Sequence, residues 1–341
     1  MRRRSTFLVA VFATLALALA ACGGGGGGSK TSKKATPATP QIAPLTGQVD
    51  QSGQSLKRPA LEVKVDNADE RGVRPQAGLE AADVVYEEQV EGNVTRLLAV
   101  FNSNLPDTVG PVRSVRATDP NLVWPLGGVF AYSGGAQPNV DLLHQAPVNA
   151  VDESSAGDAM FRDNSRAAPH NLFGRPSGLI AKGGQPVPPP PLFQYLGQKE
   201  QATGDPATAV HIGFLAPYDP TYSYDAASRT WTRSYGAAPF TVASGQQIAP
   251  TNVVIQFTNY EGGAGNPTAE GQTVGQGDAW VFTDGKVVKG RWVRPAKEQP
   301  AQYVDAQGKP IKLLPGSTWV ALLPVGSPVD VTSPTPTPPT S

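Results

Sequence analysis

The stretch Val109-Gly110-Pro111-Val112-Arg113-Ser114-Val115-Arg116 decides how the chain is read. Gly110-Pro111 is a turn pair, and Arg113 and Arg116 follow three residues apart with Ser114 between them. A helical turn here would place both guanidinium groups on one face. An apolar, strand-like run at 97–101 and a turn containing Pro106 and Asp107 precede it. Strand, turn and paired arginines suit the capture of phosphate or carboxylate, because the guanidinium fork matches those groups with two parallel hydrogen bonds. The plainer reading is that the arginines tie loops down by bonding carbonyls and carboxylates, and the sequence leaves both open.

Outward from this stretch, the first residues give the address. Arg2, Arg3 and Arg4 precede an apolar run at 7–21, and Cys22 follows. Basic start, apolar middle and small-residue exit make a signal peptide, and about fifteen apolar residues are too few to span a bilayer as a helix. Leu19-Ala20-Ala21-Cys22 resembles the bacterial lipobox, in which the cysteine becomes the first residue and carries thioether-linked diacylglycerol. Cys22 is the only cysteine of the 341 residues, so no internal disulfide is available to it. Two acyl chains anchor stably where one is marginal. The expected location is the outer face of the cytoplasmic membrane, extracytoplasmic and lipid-anchored through Cys22. The whole chain has 28 basic and 28 acidic residues; loss of the three leading arginines leaves 25 against 28, a net charge of −3. That balance argues against a nucleic-acid partner, which demands a basic excess.

Composition then divides the chain into six parts: a lipoprotein signal peptide at 1–21, a lipidated flexible linker at 22–57, an N-terminal domain at 58–182, a Pro-rich boundary segment at 183–205, a β-rich domain at 206–323 and a disordered Pro/Thr tail at 324–341. The linker, glycine-rich and then polar, would reach roughly 30–35 Å. In the N-terminal domain, Leu61, Val63 and Val65 alternate with Glu62 and Lys64, the pattern of a strand with one buried face. Strands at 83–90 and 95–101 flank a hairpin turn at Glu91-Gly92-Asn93, Asp119-Pro120 starts a short helix to Trp124, and a strand at 128–132 ends in Ser133-Gly134-Gly135 before a helical run at 139–145. This half is α/β or α+β. Beyond the prolines the chain turns to strands and hairpins, at 222–231, 280–288 with Asp284-Gly285 as the turn, and 303–311, with apolar strands at 252–257 and 317–323. Trp231, Trp280, Trp292 and Trp319 are expected to fill the core of this mostly-β domain rather than to line a sugar site.

Several motifs together resemble the YerB-like lipoprotein family. They are Val65-Asp66-Asn67, Arg74-Pro75-Gln76-Ala77-Gly78-Leu79, Ala82-Asp83-Val84-Val85-Tyr86-Glu87, Glu91-Gly92-Asn93-Val94-Thr95-Arg96, the opening stretch, and Arg166-Ala167-Ala168-Pro169-His170-Asn171-Leu172. Val253 to Phe257, Gly290-Arg291-Trp292 and Leu314-Pro315-Gly316-Ser317-Thr318-Trp319 resemble its β-rich partner domain. The resemblance covers nearly the whole folded part and implies architecture and surface location; the family's domains are of unknown function, so it implies no reaction. A more distant likeness covers about a third of the chain: acidic strand start, apolar strand, Arg113 and Arg116, then Tyr132 to Gly135. Its order is similar to that of the LytR-CpsA-Psr enzymes, which transfer glycopolymers from polyprenyl-pyrophosphate carriers with arginines on the pyrophosphate and acidic residues on magnesium.

Residue types narrow the chemistry. Arg113, Ser114, Arg116, Arg96, Arg74 and Asn171 are the candidate anion-binding residues. His170 is the candidate for proton transfer, with His144 and His211 in less suggestive settings. Asp66 and Asp83 are the candidate metal ligands, and with Glu87 and Glu91 they could hold a hard cation such as Mg2+; the opposing expectation is that these carboxylates pair with Arg74, Arg96, Arg113 and Arg116. Zinc spacing and the Gly-x-Ser-x-Gly nucleophile elbow are absent from the sequence. The preferred expectation is a non-enzymatic cell-envelope lipoprotein that binds an anionic envelope component or a partner protein through its N-terminal domain. The alternative is a transferase or phosphohydrolase acting on a polyprenyl-pyrophosphate-linked cell-wall precursor.

Overall fold

The computed structural model of the chain describes residues 40–183 and 185–334. The expected signal peptide, Cys22, the first part of the linker and the end of the tail lie outside these residues. None of the helices among the described residues is long and apolar enough to cross a membrane.

In chain order the first half contributes β1 (Leu61–Asp66), β2 (Val84–Gln89), β3 (Thr95–Phe101), α1 (Asp119–Val123), β4 (Gly128–Ala131), α2 (Gln137–Leu143), β5 (Val148–Val151), α3 (Glu153–Ala156), β6 (Met160–Arg162), β7 (Leu172–Gly174) and α4 (Pro176–Ala181). The second half is strands alone among the described residues: β8 (Asp205–Pro206), β9 (Ala209–Ile212), β10 (Pro220–Asp225), β11 (Thr230–Tyr235), β12 (Ala238–Pro239), β13 (Asn252–Thr258), β14 (Tyr260–Glu261), β15 (Glu270–Gly271), β16 (Gly275–Thr283), β17 (Lys286–Arg294), β18 (Gln302–Val304), β19 (Thr318–Pro324) and β20 (Val329–Thr332). The α/β character of the first half and the β character of the second are as expected.

The two halves share one sheet. Its order is β18-β17-β16-β13-β19-β2-β3-β1-β4-β5, with β8 added to β17. The join is β19, which runs parallel to β13 on one side and to β2 on the other. A five-stranded sheet, β12-β11-β10-β9-β20, covers one face together with α3, α4 and the β6–β7 hairpin. The other face is covered by α1, α2 and the irregular segments carrying Leu45, Leu192 and Phe193.

Burial on both faces changes the reading of β1. All six of its residues are buried, including Glu62 and Lys64, which were expected to face water. Glu62 stands in register with Val100 and Phe130, and its carboxyl oxygens have no hydrogen-bond partner among the described residues. Burial pushes its pKa well above the ordinary carboxylate value.

Parts of the segments expected to be flexible are folded. Residues 40–57 are folded: Ile42 pairs with Val49, Leu45 is fully buried, and the Tyr195 hydroxyl donates to the Leu45 carbonyl. At the far end β20 pairs with β9 beyond the expected start of the tail. The Pro-rich segment is packed, with Phe193 stacked on Tyr303 at 5.9 Å. In each case a few large apolar side chains in polar surroundings find the sheet, which local composition does not reveal.

Candidate functional site

The VGPVRSVR stretch is extended, not helical. Val112 forms an antiparallel bridge with Val65, and the Asp66 N–H donates to the Pro111 carbonyl at 2.9 Å. Arg113 N–H donates to the Lys64 carbonyl at 2.8 Å, while the Ser133 and Val115 N–H groups donate to the Arg113 and Gly134 carbonyls at 3.0 Å each. The segment is thus bonded to β1 on one side and to residues 133–134 on the other. Pro111 lacks a helix donor and the valines favour extended backbone, while Val109, Val112 and Val115 bury their side chains completely. The glycine pair serves this packing: a Cβ at Gly135 would lie 2.7 Å from Val115 Cγ1. The stretch sits at the carboxyl ends of the parallel strands β1 and β4, the end where open sheets leave room for ligands.

Extended backbone sends i and i+3 side chains to opposite sides, so Arg113 and Arg116 do not share a partner. Arg113 Nε lies 2.9 Å from Asp66 Oδ2, and Arg116 Nε donates to Glu91 Oε2 at 2.6 Å. A third arginine joins them from β3. Register places Arg96 between Asp66 of β1 and Glu88 of β2 on one face of the sheet, and its Nη2 lies 3.3 Å from Glu91 Oε1. Arg96 and Arg116 also donate to the Ser114 carbonyl, at 3.4 and 3.2 Å. Arg96 thus stands close to both Arg113 and Arg116, which are held by different carboxylates, Asp66 and Glu91. Burial and the neighbouring charges of Arg116 and Arg113 lower the Arg96 pKa to about 10, against the pull of Glu91. Burial would raise the Glu91 carboxyl, but the Arg116 hydrogen bond and the Arg96 charge bring it down to about 2. The outer fork of Arg113 is little used: its Nη1 makes one long contact, 3.4 Å to the Pro169 carbonyl.

His170 belongs to this cluster. Its Nδ1 lies 2.7 Å from the buried Asp66 Oδ2, and its Nε2 lies 3.0 Å from Oε2 of the exposed Glu70. A buried carboxylate on one ring nitrogen fixes the orientation of the imidazole and leaves the other nitrogen to exchange partners. Beneath the cluster Lys64 is fully buried between Glu88 and Asp119, with Nζ 2.8 Å from Asp119 Oδ1. The other Asp119 oxygen accepts the Arg116 N–H at 2.7 Å, which ties the buried trio to the stretch above.

The remaining candidates go elsewhere. Arg74 turns to the second sheet, 4.5 Å from the Tyr235 ring centroid and 3.2 Å from Asp69 Oδ1. Asn171 accepts from Arg162 Nη1 at 2.7 Å. Asp83 accepts the N–H groups of Asn102 and Ser103 at 2.6 and 2.7 Å. It stands level with the start of β1, roughly 17 Å along the sheet from Asp66, so these two carboxylates cannot share a metal ion. Groups of three His, Cys, Asp or Glu side chains arranged to hold a metal are absent among the described residues. Glu87 pairs with Arg233 of β11. His144 is exposed and His211 bonds Thr221 Oγ1 at 3.1 Å.

Sequence reading missed Lys64, Glu70, Glu88 and Asp119. The spacing Glu62-Lys64-Asp66 was the available signal, since period two puts all three on one face.

Comparison with known proteins fits this architecture. Residues 45–185 match the model of the N-terminal domain described as "Protein of unknown function (DUF3048)", and residues 210–320 match that of its C-terminal domain. "Putative lipoprotein YerB" of Bacillus subtilis (strain 168) is 27% identical over 304 residues, covering 83% of this chain and 86% of that protein. The crystal structure of YerB protein from Bacillus subtilis, 24% identical, superposes with a TM-score of 0.73 over 85% of this chain and 99% of the other. Carrying both domains in order, the chain belongs to the DUF3048 family.

Proposed function

We propose that this protein is a lipoprotein anchored through Cys22 on the outer face of the cytoplasmic membrane, where its N-terminal half binds an anionic group of an envelope component. The carrying observation is Arg113, held by Asp66 beside Arg96 and Arg116 with its outer fork nearly unused. Phosphate and carboxylate both match that fork. The anchor rests on the lipobox-like Leu19-Ala20-Ala21-Cys22 and on kinship with a protein named as a lipoprotein.

Titration of the purified protein with inorganic pyrophosphate tests the reading. Saturable binding is expected, weakened about tenfold or more by Arg113→Ala, since one charge-assisted hydrogen bond contributes about 1.5–3 kcal/mol. The variant should melt within about 3 °C of the parent. Absence of binding by the parent, or unfolding of the variant, would leave Arg113 a structural residue.

One observation favours the second reading, a phosphohydrolase or transferase acting on a polyprenyl-pyrophosphate-linked precursor. The Asp66–His170 pair has the geometry of an oriented acid-base group beside the arginines. Release of phosphate from a polyprenyl pyrophosphate with Mg2+, abolished by His170→Asn, would select it over simple binding.

A further inference from the structure

The second half contains a cavity that the arginine cluster does not reach. The ladder between β13 and β16 ends at Gln256–Ala279, and beyond that pair the strands part. A cavity of about 610 Å3 opens there, within the roughly 300–1,000 Å3 of ligand sites. Trp292 Nε1 donates to the Phe257 carbonyl at 3.0 Å, satisfying an acceptor at the point of parting. The indole fits because residue 277 is glycine; a Cβ there would lie 2.6 Å from Trp292 Nε1.

Of the four tryptophans expected in the core, Trp231, Trp292 and Trp319 are buried, whereas Trp280 is only half-buried and lines this cavity. Its ring is held in place. Phe257 packs edge-to-face at 5.7 Å between centroids, and the exposed Lys289 lies over the indole with Nζ 3.9 Å from its centroid, so a ring stacked on that face displaces the lysine. Around it stand Asn259, Gln272, Gln276 and Asp278. Asn259, Gln276 and Asp278 are exposed, and their side chains make no hydrogen bond to the described residues, so a ligand there meets groups that bond only water.

This lining selects a chemistry. Asp278 in the lining and Lys289 beside the indole balance, so nothing in the cavity's charge favours a phosphate or a carboxylate. Val274, Val325 and Val329 add apolar wall, but the amides and the carboxylate among them would lose their water against an acyl chain. A pyranose ring fits both parts: its C–H face lies on an indole, and its neighbouring hydroxyls match planar amides, which offer donor and acceptor side by side. We propose that this cavity binds a neutral oligosaccharide, with one ring on Trp280 and hydroxyls on Asp278, Gln276 and Asn259.

Calorimetric titration of the purified protein with chitotetraose, cellotetraose and maltotetraose decides the matter. Saturable binding of at least one is expected, weakened about tenfold or more by Trp280→Ala and by Asp278→Ala, the second an exposed residue whose loss leaves the fold intact. Failure of all three sugars to bind overturns the proposal, as does binding that survives both substitutions. Capture of a short peptide at this cavity in the absence of sugar binding overturns it as well.

Discussion

Glu87 and Arg233 offer a test of how the two layers are held together. Both are fully buried, and Arg233 grips the carboxylate with two bonds, Nη1–Oε2 at 2.8 Å and Nη2–Oε1 at 3.0 Å. Trp319 Nε1 and Thr95 Oγ1 donate to the same carboxylate at 3.0 and 2.9 Å, and the guanidinium lies 4.5 Å from the Trp319 ring centroid. Arg233→Met leaves a buried anion, and Glu87→Leu a buried cation; each should cost about 3–5 kcal/mol. Combining them removes both charges and leaves chiefly the Trp319 and Thr95 donors and the Tyr222 hydroxyl unpaired, at about 1–3 kcal/mol each. The double variant should therefore be about as stable as either single one, with a coupling energy of roughly 3 kcal/mol or more. Urea unfolding followed by tryptophan fluorescence measures all four proteins, provided the slope m is constant. Costs that add to within about 0.5 kcal/mol would refute the reasoning, because independent sites behave that way.

Two further outcomes follow from buried or paired carboxylates. Glu62 has its pKa raised by burial, so the folded state holds a proton that the unfolded state releases, and stability falls as pH rises above the ordinary carboxylate range. Glu62→Leu should raise the melting temperature at pH 8 more than at pH 5; an equal shift at both would show that the carboxyl is not held protonated. Glu91 is displaced the other way, to about 2, so its contribution is complete above the ordinary value near 4.5 and is lost as pH falls towards 2. Because a third of the side chain is exposed, about 1–2 kcal/mol is at stake. Glu91→Gln should lose less stability than the parent between pH 5 and pH 2.5 in thermal melts, and parallel losses would contradict the pairing.

Local pattern carried much of this fold. The run at 97–101 falls within the strand Thr95–Phe101, and Asp284-Gly285 turns a hairpin in which both residues have positive φ, because alternation and turn chemistry act over a few residues. The candidate site was legible in composition but not in arrangement. Arg113, Asp66 and His170 do meet, yet Arg113 and Arg116 would share a face only in a helical turn, and backbone bonding on both sides imposes extended backbone. Arg96 enters through cross-strand register, which single-sequence reading does not supply. The pairing of β19 with β2 was equally hidden, and the cover of α1 and α2 over the second side of β1 is not written in the strand's own alternation.

That pairing also sets an order of events in time. Trp319 reaches Glu87 across 232 residues of chain. At 5–20 residues per second, synthesis of that span takes about 10–50 s. Until β19 is made, a Val84–Gln89 strand paired with β3 would have an open edge on its other side, the kind of edge that recruits other chains. The nascent first half is therefore a dependent structure, and a chain interrupted before residue 318 retains an adhesive edge that only its own last long strand is shaped to close.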